Sequence, residues 1–564
     1  MNSARSLILR PVIARATVKP NNFFIAQKRI SIVSFQFRAM SEFKLKDLSS
    51  LSLQPGEKQE VEVEGIEGGK VLLANVGGKI QALGPKCTHY GAPLVKGVMT
   101  KSGRITCPWH GACFNGKTGD VEDAPALDSL PVFKVIEKDG AVYVQGEEAT
   151  IKAGRRQPNL KSTSATKSEK VVVVGGGSGG LGLVQGLREK GYGGKITMIT
   201  NEGVLPIDRT KLSKALMTDV SKLQWRNDEW FKTGSVDVVQ QEVSAVDFGS
   251  KEVTTKAGGK FSYDKLVLGN IFMLRNVENA KDINNAIGDK GKRIVIVGSS
   301  FIGMELANCV AADNNVTVIG MENTPLERVL GKEVGAGLQK SLEGKGVKFH
   351  MGASVDKAEP SSSDPSKVGS VVLKDGTKLE ADLVVLGIGV SPATEYLREN
   401  KVVRLEEDGS LKTDEQYSVV GLKDVYAIGD IASFPYKGPG GEGKYVRIEH
   451  WNVAQQSGRI VAGQIVNPSI KPEFFTPIFW SALGAQMRYC GNTSNGYDDL
   501  ILNGNPAEAN FVAYYCKGET VVALASMGRD PVMSQAAELM RRGKMPSKSE
   551  IKGGLDILSL GPPE

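Results

Sequence analysis

The sequence predicts a multidomain protein: an N-terminal all-β domain, then two interleaved α/β domains, then an α+β C-terminal domain. Short strands and glycine turns fill residues 43–149, as in "KVLLANVGGKIQAL", a pattern typical of all-β domains. Two later segments, beginning at Val171 and Arg293, each combine an apolar strand, a glycine turn and a helix. Such βαβ units predict Rossmann-like domains with parallel sheets.

Changes in composition place the domain boundaries. Residues 151–169 are polar and aperiodic, which is typical of a linker, and a mixed region begins near Pro472. The predicted segments are 1–39 (presequence), 43–149 (all-β domain), 150–169 (linker), 170–285 and 406–472 (first α/β domain, in two parts), 286–405 (second α/β domain) and 473–564 (C-terminal domain with a polar tail).

The positive charge is concentrated at the N terminus. The net charge is +7, and residues 1–39 hold seven Lys and Arg and no acid, so the rest of the chain is neutral. Charge therefore gives no support to nucleic-acid binding. An acid-free, Arg- and Ser-bearing N terminus predicts a mitochondrial transit peptide, with a disordered basic tail as the alternative. Translation from Met40 would instead give a cytoplasmic protein. No apolar run is long enough for a membrane span.

Two short motifs in the all-β domain carry metal ligands. Cys87-Thr-His89 and Cys107-Pro-Trp-His110 are separated by residues 90–106. Two thiolates suit a ferric iron, and two neutral imidazoles suit the second iron, which takes up the electron. A structural Cys₂His₂ zinc site is the alternative, but zinc fingers usually keep the two cysteines together and the two histidines together. The spacing therefore predicts a Rieske [2Fe–2S] cluster on these four residues.

The first glycine turn has the pattern of a dinucleotide site. Gly175, Gly177 and Gly180 follow a valine strand and open a helix, where backbone N–H groups favour a pyrophosphate. Glu202 lies at the distance expected of the acid that holds the adenosine ribose, and Asn201 beside it could share that role.

The second turn departs from that pattern at one position. Gly298 and Gly303 are kept, but Ser300 replaces the middle glycine, so the backbone can approach a phosphate less closely. The ribose acid would be Glu322, two residues beyond its usual place. No arginine directly follows it, which favours NADH over NADPH, although Arg328 keeps NADPH open.

Four further segments resemble parts of a known family. They are "LPIDRTKLSK" (205–214), "DVYAIGDIA" (424–432), "RIEHW" (447–451) and "PIFWS" (477–481). Together with the Rieske motifs and the two glycine turns, they resemble the Rieske-containing branch of the apoptosis-inducing-factor-like flavoproteins, within the ferredoxin-reductase-like pyridine nucleotide oxidoreductases. The resemblance covers roughly residues 43–550 in the order Rieske, FAD, NAD, FAD and C-terminal domain.

The resemblance implies roles for particular side chains. Arg209 and Lys214 would lie against the flavin and its phosphates, and Asp430 would reach a ribitol hydroxyl of FAD. Glu305 begins the helix behind the second glycine turn, where it would either approach the nicotinamide or pack the helix. Beside the isoalloxazine ring the resemblance places Glu449, His450 and Trp451, with Trp480 covering the ring. The candidate catalytic residues are Lys214, Glu305, His450 and Trp480.

The cluster loops lack features of high-potential Rieske centres. Those centres have an extra cysteine in each loop, joined as a disulfide, where this chain has Ala92 and Trp109. They also have Ser and Tyr hydroxyls beside the sulfurs, where this chain has Ala112 and Phe114. Each missing donor leaves the reduced cluster less stabilised, so we expect a low potential within reach of NADH. The adjacent Cys113 is predicted to be a packed thiol.

One junction departs from the family. Family members have a short turn and further residues after "YDKLVL", whereas here Leu268 runs directly into Gly269. That turn normally packs against FAD. The departure predicts either an exon missed in assembling the coding sequence or a weakened flavin site, and sequencing the transcript across these codons separates the two.

The scarcity of histidine and cysteine excludes several other enzymes. A Rieske oxygenase needs two more histidines on a mononuclear iron, and only His350 and His450 remain. The four other cysteines are too scattered for a second cluster or for a redox pair near the flavin. We therefore expect NADH to reduce FAD, and electrons to pass through the Rieske cluster to an unknown protein or small-molecule acceptor. The alternative is an apoptosis-related redox signalling or binding protein with little turnover.

Overall fold

The computed structural model describes residues 41–158, 160, 168–269, 271–272 and 276–561, so the predicted transit peptide lies outside the described residues. The N-terminal domain is formed by strands Ser41–Lys44 (β1), Lys58–Glu62 (β2), Lys70–Val76 (β3), Lys79–Leu83 (β4), Val98–Met99 (β5), Arg104–Thr106 (β6), Cys113–Asn115 (β7), Val121–Asp123 (β8), Val132–Lys138 (β9) and Ala141–Gly146 (β10), followed by helix Glu148–Ala153 (α1).

These strands form two antiparallel sheets, which confirms the predicted all-β domain. One has the order β1-β10-β9-β4-β3-β2, and the smaller one has the order β5-β6-β7-β8. Helix α1 extends three residues past Thr150 into the segment that we expected to be linker, because the side chain of Ile151 is buried against the domain. The first cluster motif lies on the loop between β4 and β5, and the second lies on the loop between β6 and β7.

The next segment builds most of the first α/β domain. Its elements are Lys170–Val174 (β11), Ser178–Glu189 (α2), Lys195–Thr200 (β12), Thr210–Ala215 (α3), Val220–Leu223 (α4), Asp228–Thr233 (α5), Val236–Gln240 (β13), Val243–Asp247 (β14), Glu252–Thr255 (β15), Lys260–Ser262 (β16), Lys265–Leu268 (β17), Ile271–Phe272 (β18) and Val277–Ile287 (α6).

The second α/β domain follows. Its elements are Arg293–Val297 (β19), Phe301–Val310 (α7), Asn315–Gly320 (β20), Glu327–Glu343 (α8), Lys348–Met351 (β21), Val355–Pro360 (β22), Val368–Leu373 (β23), Lys378–Glu380 (β24), Leu383–Leu386 (β25) and Ser391–Pro392 (β26). The chain then returns through Leu411–Lys412 (β27), Val425–Ala427 (β28), Ala432–Pro435 (β29), Tyr445–Val446 (β30) and Trp451–Val466 (α9).

The interleaving of the two α/β domains is confirmed by the sheet order. The first domain has the parallel sheet β13-β12-β11-β17-β28, in which β28 is contributed after the whole second domain. The second has the parallel sheet β21-β20-β19-β25. Since both glycine turns follow the first strand of their sheets, both helix N termini lie at carboxyl edges, where ligands bind in such folds.

The C-terminal domain consists of Ile478–Ala482 (β31), Gln486–Gly491 (β32), Asp499–Asn505 (β33), Asn510–Lys517 (β34), Thr520–Met527 (β35), Val532–Arg541 (α10) and Lys548–Lys552 (α11). Its sheet has the order β31-β32-β35-β34-β33. One face shares a hydrophobic core with α7 and α8, through residues such as Tyr515 and Leu338, and the other face packs on α10. Within the described part of the chain, no helix is long and apolar enough to cross a membrane.

Candidate functional site

The two predicted cluster loops have the same backbone structure. In each, the cysteine N–H donates to the carbonyl oxygen five residues later, at 2.8 Å for both Cys87 and Cys107. Gly91 N donates to the Cys87 carbonyl oxygen at 2.9 Å, and Gly111 N donates to the Cys107 carbonyl oxygen at 3.3 Å. Both glycines have left-handed φ angles, +80° and +71°, which favour glycine. The repeated loop therefore presents two matching pairs of ligands.

The four predicted ligands converge in pairs that fit a two-iron cluster. The Nδ1 atoms of His89 and His110 are 3.1 Å apart, and burial together with the neighbouring Cys107 thiol raises the pKa of Cys87 well above its usual value. Burial lowers the pKa of His89 to about 3 and that of His110 well below its usual value, which keeps both imidazoles neutral, as ligands must be. A [2Fe–2S] cluster needs only two protein ligands per iron, which these two pairs supply. Among the described residues, no group of three or more His, Cys, Asp or Glu could hold a single metal ion.

Aromatic side chains enclose the histidine side of the cluster site. Tyr90 stacks on His89 with ring centroids 3.9 Å apart, and Trp225 lies 5.7 Å from the same ring. The ring of Trp480, from β31, lies 4.5 Å from His110 and 5.5 Å from His89. The two histidines are only 6 % and 4 % exposed, so this side of the site faces the rest of the protein.

Buried polar contacts attach the Rieske domain to the other domains. Arg226 pairs with Asp128 at 2.7 Å, and both side chains are less than a tenth exposed. On the C-terminal side, Arg104 Nε donates to Glu538 at 2.8 Å. Ser534 Oγ, on α10, donates to the carbonyl oxygen of Cys107 itself at 2.8 Å. These contacts attach the Rieske domain to the first α/β domain and to α10, and through Cys107 they hold the second cluster loop against α10.

A cavity of about 470 Å³ lies between the two α/β domains and the C-terminal domain. Both helix N termini open onto it, through Gly177 and Ser178 of the first turn and Ser300 and Phe301 of the second. Its wall also includes Trp480, which contacts His110 on the cluster side. The cavity therefore adjoins both dinucleotide turns and, through one indole ring, the cluster site.

The two glycine turns share one backbone geometry. Gly175 and Gly298 have φ angles of +113° and +115°, and Gly177 and Ser300 are both extended N-cap residues. Ser300 therefore occupies the middle position without distortion, and its hydroxyl donates to the Gly387 carbonyl oxygen at 3.2 Å. The serine substitution keeps the phosphate-binding conformation that the family pattern requires.

Two predicted catalytic residues form a buried ion pair on the cavity wall. Lys214 Nζ lies 2.8 Å from Glu305 Oε1, and the glutamate side chain is 3 % exposed. Ser213 and Ser481 donate to the same carboxylate at 2.5 and 2.6 Å. Because Ser481 belongs to β31 and Glu305 to α7, the carboxylate joins three parts of the chain and holds the lysine at the cavity.

The returning part of the first α/β domain supplies another wall. Asp430, which follows β28, lines the cavity together with Glu449, His450 and Trp451 at the start of α9. Trp451 Nε1 and Asn492 Nδ2 are buried there with no hydrogen-bond partner among the described residues. Two unpartnered donors on the wall suit a ligand with many acceptor atoms, such as the flavin ring and its chain.

Some predicted cofactor residues do not line this cavity. Glu202 pairs instead with Arg209, which does line it. Glu322 pairs with Arg328 at 2.8 Å and accepts a hydrogen bond from Ser299 Oγ at 3.4 Å. Gly180 and Gly303 pack so closely on Gly175 and Gly298 that a Cβ at either would overlap a carbonyl oxygen. These glycines close the turns and do not form the wall.

Sequence reasoning missed several residues of the site. They are Ser213, Trp225, Phe301, Phe479, Ser481 and Asn492. The sequence did contain a signal for Phe479, which is next to Trp480 on β31, because neighbouring residues of a strand point to opposite faces. Trp480 contacts the cluster histidines, and Phe479 contacts His450 at 4.6 Å and Phe301 at 4.5 Å.

Comparison with known proteins agrees with this geometry. Residues 43–134 match the Rieske [2Fe-2S] domain, residues 169–458 the pyridine nucleotide-disulphide oxidoreductase family, and residues 478–553 the reductase C-terminal domain. Apoptosis-inducing factor 3 of Homo sapiens is 37% identical over 526 residues, covering 89% of this chain and 84% of the relative.

Two solved structures are also similar. A ferredoxin reductase from Rhodopseudomonas palustris has a TM-score of 0.64 at 25% identity, covering 70% of this chain and all of its own. The putidaredoxin reductase in a covalent complex with putidaredoxin has a TM-score of 0.63 at 25% identity, covering 71% of this chain and all of its own.

The fold and site define a ferredoxin-reductase-like flavin oxidoreductase that carries its own Rieske domain. Its cofactors are FAD, a nicotinamide dinucleotide and a [2Fe–2S] cluster. The chain belongs to the pyridine nucleotide-disulphide oxidoreductase family, and over most of its length it resembles apoptosis-inducing factor 3.

Proposed function

We propose that the protein is an NADH oxidoreductase whose electrons leave through its own Rieske cluster to an external acceptor, a protein or a small molecule. The observation that carries this proposal is the position of Trp480, which lines the 470 Å³ cavity and lies 4.5 Å from the ring of His110. Bound flavin supplies the exchange between two-electron and one-electron chemistry. The ligands of the cluster are, in this proposal, Cys87, His89, Cys107 and His110.

The chain's own residues would bind and orient the two dinucleotides. The helix N termini at Ser178 and Phe301 would bind pyrophosphates through backbone N–H groups. Asp430 would accept from a ribitol hydroxyl, and Trp451 Nε1 would donate to an acceptor atom of the ligand. Lys214 would place a fixed positive charge at the reacting end of the cavity, with Glu305 holding it there.

The choice between NADH and NADPH depends on the pair formed by Glu322 and Arg328. Glu322 lies beyond the end of β20, and Arg328 is bound to it at 2.8 Å while its side chain remains 76% exposed. A carboxylate in this position would bind ribose hydroxyls and repel a 2′-phosphate, which supports NADH. Steady-state kcat/KM for both nucleotides tests this, and a preference for NADPH would show that Arg328 dominates.

A second function is suggested by a relative's name. The similar human protein is called an apoptosis-inducing factor, so a signalling or binding role with little turnover is the competing proposal. A mitochondrial location would fit both that name and the basic residues 1–39, whereas translation from Met40 would leave the protein in the cytoplasm. Negligible NADH oxidation with artificial acceptors would favour signalling over electron transfer.

The experiment that tests the proposal removes one cluster ligand. Cys107→Ser should lose the electron paramagnetic resonance (EPR) signal of the reduced cluster and the reduction of cytochrome c as a one-electron acceptor, and should still allow NADH to bleach the flavin. Cys113→Ser is the matched control, because Cys113 is also buried but its hydrogen-bond partners are the Gly111 carbonyl oxygen and the Thr106 hydroxyl, neither of which is a predicted cluster ligand. Undiminished cytochrome c reduction by Cys107→Ser would refute the route through the cluster.

A further inference from the structure

A buried arginine of the C-terminal domain lies between the cavity tryptophan and the second cluster loop. Arg488 is on β32 and directly faces Trp480 across the antiparallel pair β31–β32. Its side chain is 5 % exposed. Asp530 Oδ1 lies 3.6 Å from its Nε, and four residues further on Ser534 donates to the Cys107 carbonyl oxygen. Arg488 therefore shares its two neighbours, Trp480 and the Asp530–Ser534 segment, with the cluster loop.

The positive charge of this arginine is poorly compensated. Its Nε makes no hydrogen bond in the described part of the chain, and Nη1 donates to Gln486 at a long 3.4 Å. The nearby Asp530 carboxylate is itself 35 % exposed, so solvent weakens its attraction. By contrast, the buried Arg226 donates to Asp128 at 2.7 Å. The electrostatic field of a buried guanidinium without a close carboxylate is little compensated, so it acts on other nearby groups.

The two neighbours of Arg488 both contact cluster ligands. The ring of Trp480, which faces Arg488, lies 4.5 Å from the ring of His110. The Asp530–Ser534 segment contacts Cys107 through the 2.8 Å hydrogen bond of Ser534. Because a charge in a buried, low-dielectric region acts strongly on groups this near, the field of Arg488 reaches a ligand of each predicted kind, one thiolate and one imidazole.

We propose that Arg488 raises the reduction potential of the Rieske cluster by stabilising the added electron. Reduction adds one electron, accepted from the flavin, with no bond made or broken, and the extra negative charge is attracted to the fixed guanidinium. The proposal rests on the cluster ligands assigned under the proposed function. It also offsets the effect of Ala112 and Phe114, which lack the hydroxyl groups that stabilise reduced high-potential centres.

The test is the midpoint potential of the cluster, measured by redox titration with EPR detection on the purified holoprotein. Arg488→Gln should lower the midpoint potential of the cluster. The expected change is at least about tenfold in the reduction equilibrium, which is 59 mV for a one-electron couple. Arg488→Lys should keep most of the wild-type potential, because it keeps the charge. Arg459→Gln is the matched control, since this buried arginine contacts the Rieske domain at the Val121 carbonyl oxygen, away from the ligands.

A second variant carries the test if Arg488→Gln does not fold. Asp530→Asn removes the counter-charge at a partly exposed position and should raise the potential, the opposite sign. These outcomes apply to variants whose cluster EPR signal is normal. An unchanged midpoint potential in Arg488→Gln or Asp530→Asn would overturn the inference. A shift in Arg459→Gln equal to that in Arg488→Gln would also overturn it. A wild-type protein with no Rieske signal would instead refute the ligand assignment, and this inference with it.

Discussion

Replacing Glu538 with glutamine should loosen the attachment of the Rieske domain to α10. The Glu538 carboxylate is 3 % exposed and accepts from Arg104 Nε at 2.8 Å and Thr106 Oγ1 at 3.1 Å, both in the Rieske domain. Glutamine keeps the shape but loses the charge. Arg104 retains Glu122, at 2.7 Å, and Asp123, so its own charge stays compensated.

The loss of docking stability expected in Glu538→Gln depends on the partners that Arg104 keeps. Stranding a buried charge costs about 3–5 kcal/mol, but hydrogen bonds to charged groups contribute only about 1.5–3 kcal/mol when a charge keeps other partners. We therefore expect about 2 kcal/mol less docking stability, which is roughly a thirtyfold larger undocked population.

Hydrogen exchange at one amide reports this population. Ala124 N, in the Rieske domain, donates to Gln456 Oε1 on α9 at 3.0 Å, so it exchanges when the domains separate. In Glu538→Gln its exchange should be about thirtyfold faster. Exchange of the Leu73 amide, inside the paired strands β3 and β4, should not change. Glu122→Gln is the control variant, because Glu122 pairs with Arg104 within the Rieske domain.

Two results would contradict a role of Glu538 in docking. Unchanged exchange at Ala124 in Glu538→Gln would mean that the ion pair does not hold the interface. Equal acceleration at Ala124 and Leu73 would mean that the whole domain is destabilised and that docking is not the affected step.

Three further predictions concern the cluster loops, the Lys214–Glu305 pair and the pH dependence of docking. Gly91 and Gly111 both have a left-handed φ, so alanine is strained at either position, but only at Gly111 would the new methyl group overlap a C-terminal side chain, that of Ile478. Gly111→Ala should therefore destabilise the cluster by about 2 kcal/mol more than Gly91→Ala does. Urea titrations followed by visible circular dichroism measure this difference. Glu305→Gln strands its lysine partner and should lower the free energy of unfolding by roughly 3 kcal/mol, measured by flavin fluorescence in urea, and an unchanged midpoint would contradict the buried pair. Burial raises the pKa of Glu538, but Arg104 and Arg541 outweigh it and hold that pKa below the usual 4.5, so docking stability should be complete above that pH and lost as the pH falls further, seen as faster Ala124 exchange after correction for intrinsic rates.

The local chemistry of the site was accessible from the sequence. The cluster loops and glycine turns are short motifs whose residue types set the backbone: glycine permits the left-handed φ at Gly91 and Gly111, and the paired Cys and His follow from the needs of two irons. The interleaved fold class could be predicted for a similar reason, because each βαβ unit carries its own strand, turn and helix pattern. The sheet order confirms that prediction.

The contacts between domains were not accessible in the same way. Arg488, Trp225 and Asn492 have no motif around them, and their role arises only when distant segments pack together. Glu202 and Glu322 were assigned to riboses by spacing, and the structure places each beside an arginine, a partner that spacing cannot reveal. The junction after Leu268 partly lies outside the described residues, so the predicted missed exon stays a prediction.

The central claim is that electrons from NADH pass through the flavin cavity to the Rieske cluster of the same chain. Anaerobic mixing of the holoprotein with NADH, followed by stopped-flow absorbance and freeze-quench EPR, tests it directly. Flavin absorbance should fall first and the EPR signal of the reduced cluster should appear afterwards. The amplitude of that signal should be proportional to the amount of protein, and its rate constant should not depend on protein concentration. A flavin that bleaches while the cluster stays oxidised for minutes would contradict it.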